Sequence, residues 1–279
     1  MNSEVDELRA AYDAQVRTSS SAHLSPDEEL SWDGPLMRVT GGHRGFVGYR
    51  DLAGLAGPEL DALIERTIEH FDARGQAFEW KWHQHDQPAD LADRLRAHGF
   101  EPEEPETVLV GLAADLTEVP PLDGVELREV VTESEFRALG RLQSEVWAAD
   151  WTWLGDELMA RRAVEGDRLR VFGAYAPGAE MLSAAWLSLN PGTEFAGLWG
   201  GATLAAWRGR GIYRALVGLR AQLAVDSGYR YLQVDASPDS QPILRRLGFV
   251  PVATTRPFIH RSATGDQPEP AGEIGHQPG

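Results

Sequence analysis

The chain has 279 residues, with 26 Lys plus Arg against 43 Asp plus Glu, a formal charge of -17. Apolar residues make up 42%, enough for a core, which excludes wholesale disorder. Cysteine is absent, which excludes disulfides, zinc-thiolate sites and thiol nucleophiles, and the acidic balance argues against a general nucleic-acid binder.

Val5, Leu8, Ala11, Tyr12 and Val16 fall near helical spacing and predict an amphipathic helix over 2–17. The first ten residues, MNSEVDELRA, carry acids where a signal peptide needs cations, and no apolar run approaches the roughly 20 residues of a membrane helix. A cytoplasmic protein that contacts neither membrane nor nucleic acid is expected. A polar stretch from Thr18 to Ser25 is closed by Pro26, and 46–50 (FVGYR) is predicted as a strand. Pro58 stands at the first helical position of a segment running to Arg74, with Leu60, Leu63, Ile64, Ile68 and Phe71 on its buried face. Phe78 to Gln84 alternates as a strand does, Pro88 to His98 is a helix closed by Gly99, and Thr107 to Leu112 is a strand.

Pro120 and Pro121 mark a linker. Beyond it, Val125 to Val130 opens a second series, with helices predicted over 133–148 and 156–165 and strands over 169–175, 181–189 and 195–204. A helix, the strand YRYLQVDA, a helix over Gln241 to Leu247 and the strand FVPVATT complete it. Residues 262–279 are rich in Pro and Gly, with three acids and no Lys or Arg, and predict a disordered tail. The expected organisation is one domain over 1–119, a second over 120–261, and the tail. DQPADLADRLRAHGFEP in the first half matches SPDSQPILRRLGFVP in the second in its Pro-initiated helix and Gly-Phe exit, which points to an internal duplication.

The chemistry concentrates between Phe195 and Val225. This stretch has no Asp or Glu but contains Arg208, Arg210, Arg214 and Arg220. Arg208 to Gly211 reads RGRG, after an apolar strand and before a helix. Glycines permit a sharp turn there, the first helical amides point outward, and the helix dipole favours an anion. Guanidinium groups add charge-assisted hydrogen bonds. A phosphate or pyrophosphate cradle is one reading; an ordinary Gly-containing turn with surface arginines is the other. A Walker loop needs Gly-Lys, which is absent, and Arg214 breaks the spacing of a dinucleotide fingerprint.

Arg208-Gly209-Arg210-Gly211-Ile212 resembles the acetyl-CoA motif of the GNAT acetyltransferases, (Q/R)xxGx(G/A), and the order of elements from Val125 to Arg261 is similar to that family. The first half, about Phe46 to Leu112, resembles a degenerate repeat without the RGRG loop. The resemblance implies an α+β fold of tandem units, each with a mixed, mostly antiparallel central sheet flanked by helices. It implies acetyl-CoA as cofactor, with donors at Gly209, Arg210, Gly211 and Tyr213, contacts from Arg208, Ile212, Arg214 and Ser237, and pantetheine pairing along Gly201, Ala202, Thr203 and Leu204. It also implies acyl transfer to an amine, on a small molecule or a protein, by a monomer or homodimer. Three positions depart from the pattern: Tyr213 replaces the final Gly/Ala, Leu244 stands where the family often has a tyrosine acid, and Ser237 where it often has Asn.

Direct attack by an amine needs a base but no enzyme nucleophile. Asp235, at the end of YLQVDA, is the first candidate, with Glu145 and Asp150 near the first helix and Glu194 at a strand edge as the others; a turn or helix cap is the alternative role for Asp235. Trp147, Trp151 and Trp153 follow the first helix of the second half, where the family plan places the acceptor; core packing is their alternative. His83, His85 and Asp86 place two imidazoles on one side of a strand, without a third ligand at sensible spacing, so no metal is expected.

Overall fold

The computed structural model describes residues 2–178 and 180–262. The tail expected from Ser262 onward lies, beyond Ser262 itself, outside the described residues. In chain order the first half carries α1 (Asn2–Gln15), β1 (Glu29–Asp33), β2 (Leu36–Thr40), β3 (Gly45–Gly48), α2 (Gly57–Asp72), β4 (Phe78–His83), α3 (Leu91–Ala97), β5 (Glu101–Pro102) and β6 (Glu106–Leu112). The second half carries β7 (Glu126–Glu129), α4 (Glu133–Trp147), α5 (Thr152–Glu165), β8 (Leu169–Tyr175), β9 (Met181–Leu189), β10 (Phe195–Thr203), α6 (Ile212–Asp226), β11 (Tyr231–Ala236), α7 (Gln241–Leu247) and β12 (Val250–His260).

Local chemistry sets the boundaries. Thr132 and Glu135 form a reciprocal capping box at the start of α4. Pro58 and Pro242 open α2 and α7, where a missing amide proton is harmless. Gly248 adopts a left-handed conformation to close α7. All nine residues of β9 are buried, which explains why only Ser183 and Ser188 interrupt its apolar sequence.

Chain contacts divide the protein into two compact units. One comprises Thr107–Val252 with the first residues to Leu8, and the other 9–106 with the segment from Ala253. The strand order in the first is β6-β11-β10-β9-β8-β7, antiparallel except for the β10–β11 pair. The strand order in the second is β1-β2-β3-β4 followed by the Thr255–His260 part of β12, antiparallel except for β3–β4. The sheets are thus mixed and mostly antiparallel, with helices against them, as expected.

The order strand, helix, parallel strand, helix, Gly-Phe occurs in both units: β3-α2-β4-α3 before Gly99-Phe100, and β10-α6-β11-α7 before Gly248-Phe249. Each unit also takes one strand from the other half of the sequence. β6, from the first half, pairs with β11 from Thr107↔Ala236 to Leu112↔Tyr231. The end of β12, from the second half, pairs with β4 from Thr255↔His83 to His260↔Phe78. The contact boundary therefore falls at Thr107 and not at the Pro120–Pro121 linker.

Three local differences from the sequence reading have simple causes. β1 and β2 form a hairpin whose turn is Gly34-Pro35, with Gly34 at φ +57. α5 begins at Thr152, because Asp150 accepts from both the amide and hydroxyl of Thr152. β12 continues past Thr255 to His260, with Pro257 opposite Lys81.

Candidate functional site

The unit containing α6 builds the site around one irregularity in β10. Its register with β9 runs Trp199↔Trp186 and then Ala202↔Ala184, so β10 holds one extra residue there. This is a β-bulge, marked in sequence by Gly200-Gly201. Gly200 sits at φ +64, and a Cβ on it would lie 1.6 Å from Cζ3 of Trp186. The extra residue reverses the alternation of side chains. Trp199 and Ala202, three positions apart, both join the core beneath α4 and α5, with Leu204.

On the other edge of β10, pairing with β11 covers only Phe195↔Tyr231 to Gly197↔Gln233. Beyond Gly197 no register joins the two strands, among the described residues. The strands part before the loop that leads into α6.

That loop turns at Gly209 (φ +73) and Gly211 (φ +81), the latter the N-cap of α6. The first bond into the helix is Ala215 N–H to the Gly211 carbonyl. The amides of Gly209, Arg210 and Gly211, and those of the first turn at Ile212, Tyr213 and Arg214, donate to no acceptor among the described residues. Gly209, Arg210 and Gly211 are exposed. A run of amide donors at a helix start suits a polyanion such as a pyrophosphate.

The four arginines of this stretch do different work. Arg208 donates through Nε to the Thr203 carbonyl at 3.1 Å, and the Arg210 guanidinium lies 4.5 Å over the Trp207 ring. Arg214 pairs with Glu118 at 2.5 Å. Arg220 is not on the loop surface at all; it is buried on the inner face of α6. Burial pushes its pKa down to about 10 against the partial support of Tyr213. Tyr213 packs against the core beside α6, and burial raises its phenol to about 12.

On the α4/α5 side, Trp147, Trp151 and Trp153 belong to the same cluster as Trp199, Ala202 and Leu204. Trp151 stacks on Trp153 at 5.4 Å, and the Trp153 indole donates to the Asp150 carbonyl. The Trp147 indole donates to Gln143 Oε1 at 2.7 Å, and Gln143 Nε2 donates to the Gly200 carbonyl at 2.8 Å. The aromatic wall is therefore tied to the bulge by one side chain, Gln143, which sequence reasoning missed.

Asp235 is buried on β11 and accepts from Gln233 Nε2 at 2.8 Å. Leu232, Val234 and Ala236 face α6 and α7, so the alternation puts Asp235 on the face shared with Trp199. Glu145 is exposed on α4, two residues from Gln143 and so on the far side of that helix. Ser237 bonds Ser240 and receives its amide, which shapes the turn into α7. Leu244 is fully buried in the core of this unit.

In the other unit, the histidine segment is occupied by its own contacts. The Tyr12 hydroxyl meets His83 Nε2 at 3.1 Å, and His85 meets Asp13 at 2.9 Å. Asp86 accepts from Arg17 at 2.6 Å and from the Tyr49 hydroxyl at 2.5 Å. Among the described residues no helix is long and apolar enough to cross a membrane.

No protein-family model matches the chain, and no curated protein matches it. Solved structures do. A GCN5-related N-acetyltransferase from Kribbella flavida aligns with a TM-score of 0.68 at 17% identity, covering 91% of this chain and 94% of that one. A GCN5-related N-acetyltransferase from Sphaerobacter thermophilus gives 0.62 at 14% identity, covering 92% and 94%. A tandem GNAT protein from the clavulanic acid biosynthesis pathway gives 0.60 at 16% identity, covering 89% and 87%. The fold is that of the GNAT acetyltransferases.

Proposed function

We propose that the protein is an acyl-CoA-dependent N-acyltransferase that moves an acetyl group from acetyl-CoA to an amine. The observation that supports this best is the run of unpaired amides from Gly209 to Arg214, placed where β10 and β11 part. In this reading those amides and Arg208 hold the pyrophosphate, and Gly201 to Leu204 offer a strand edge to the pantetheine arm. Acetyl-CoA supplies the thioester: the amine nitrogen bonds to the carbonyl carbon, the carbon–sulfur bond breaks, and the departing thiolate takes a proton. Asp235 removes the amine proton, directly or through water, and a bulge amide donates to the thioester oxygen. Trp147, Trp151 and Trp153 form one wall for the acceptor, a small-molecule or protein amine. The reading takes the protein as a cytoplasmic one acting as a monomer or homodimer, as the resemblance implies. The recurring element order in the two units supports an internal duplication in which only the second copy kept the loop.

A second reading, a CoA-binding module without turnover, is favoured by Leu244, whose apolar side chain cannot protonate the leaving thiolate. Thiol release separates the two. Incubation with acetyl-CoA and a panel of amines liberates free CoA if the protein is a transferase. Thermal stabilisation by CoA without release on any amine supports the binding module, and no stabilisation by CoA or acetyl-CoA defeats both.

A further inference from the structure

Arg220 is a guanidinium in the interior of a helix face otherwise lined by Leu216, Val217, Ala221 and Ala224. It has no carboxylate partner among the described residues. Its donors go to backbone carbonyls instead: Nε to Leu216 at 3.0 Å, and one terminal nitrogen to Trp186 at 3.0 Å and Trp199 at 3.2 Å. A buried cation without a counter-charge is expensive, and satisfying a helix does not require one.

What Arg220 holds is one end of the bulge. Gln143 holds the next peptide, through the Gly200 carbonyl, from the α4 side. The Trp147 indole donates to the Gln143 oxygen, which fixes which end of the amide faces the bulge. Neither Gly200 nor Gly201 has a partner in the β9 register. A trans peptide points its N–H opposite its carbonyl. Anchoring the Trp199 and Gly200 carbonyls therefore sets the direction of the Gly200 and Gly201 amides. Two side chains, one from α6 and one from α4, clamp the two peptide planes.

We infer that Arg220 and Gln143 are positioning residues that aim a bulge amide at the thioester oxygen of acetyl-CoA. The inference rests on the proposed transferase reading but concerns polarisation of the carbonyl, not retention of the cofactor. A clamp that only stabilised the fold would leave the carbonyl's electronic state untouched. Clamping both planes removes the reorganisation that a flexible donor would need, which is the physical basis of electrostatic preorganisation.

The test is the infrared carbonyl stretch of bound acetyl-CoA carrying carbon-13 at the carbonyl, which needs no acceptor. In the wild-type protein the band is expected at lower frequency than in water. Arg220→Met and Gln143→Leu are expected to return it toward the water position while calorimetric CoA affinity is kept, and Arg220→Lys to restore part of the shift. A wild-type band at the water position despite binding, or folded variants that keep the full shift, overturns the inference and leaves CoA binding standing. If the wild-type protein binds no CoA, the transferase reading fails and takes the inference with it. If Arg220→Met does not fold, Gln143→Leu decides: loss of the shift supports the clamp, and its retention refutes it.

Discussion

Gly200 and Trp186 are packed so closely that no side chain fits between them: a Cβ on Gly200 would sit 1.6 Å from Cζ3 and 2.2 Å from Cε3 of the indole. Trp186 is itself buried, with its ring in the core below α4 and α5. Gly200→Ala is therefore expected to cost on the order of 3 kcal/mol or more, since it combines overpacking with a left-handed backbone at φ +64. Urea denaturation of the variant measures it; a loss below about 1 kcal/mol, the scale of an ordinary substitution, would mean that the bulge is not held in this form.

At the loop, Arg208→Ala combined with Gly211→Val is expected to abolish stabilisation by CoA. Valine at φ +81 adds strain of about 1–3 kcal/mol at the N-cap and places a branched side chain among the open amides. Isothermal calorimetry with CoA reads the outcome. Wild-type affinity in a folded double variant would remove the cradle from this loop.

Asp235→Asn preserves shape and the contact with Gln233 but removes the basic oxygen. Acetyl transfer is expected to fall roughly 10²–10⁴-fold with unchanged CoA affinity, the range for losing a general base. Thiol release with a responsive amine is the measurement. A rate within a few fold of wild type would assign the base elsewhere.

The cap of α4 carries a pH signature. Burial raises the Glu135 pKa, but its bonds to Arg128 and to the Thr132 and Val131 amides outweigh that and hold it at about 2, below an ordinary 4.5. A depressed carboxylate stabilises the fold fully above 4.5 and loses that contribution as pH falls toward 2. Glu135→Ala is expected to cost about 1 kcal/mol at neutral pH, with the gap closing as pH falls through this window. Thermal melts of both proteins across acid pH would show parallel curves if the cap were unimportant.

A chain cut at the prolines should fail. Residues 120–262 lack β6, which pairs along Tyr231–Ala236, and lack Leu109, Ala113 and Leu116 from the core of that unit. The fragment is expected to bind a hydrophobic dye and melt without cooperativity. A cooperative melt like that of the whole chain would show that the strand is dispensable.

Much of this was legible in the residues themselves. The apolar runs at 169–175, 181–189 and 195–203 read directly as strands, and Pro58, Pro242, Gly99 and Gly248 punctuated their helices. The RGRG loop was visible as a glycine- and arginine-rich bend between a strand and a helix, although the residues alone left an ordinary turn open. The exchange of β6 and β12 was not visible, because a strand's alternation does not name its neighbour. The role of Gln143 was equally hidden, since a glutamine on a helix is ordinarily solvated. Arg220 does leave a signal, a cation within an apolar helical stripe. The Gly-Gly pair within a strand was the other readable mark, pointing to a bulge.

The borrowed strand at β4 has a consequence for synthesis. A ribosome delivers β1 to β4 long before Thr255–His260 emerges, so that edge of the nascent sheet waits uncovered for on the order of ten seconds at typical elongation rates. Phe78 and Trp80 lie on that edge strand, fully buried in the finished protein. During translation the first half therefore carries an unpaired sheet edge, open to mispairing until the partner segment arrives.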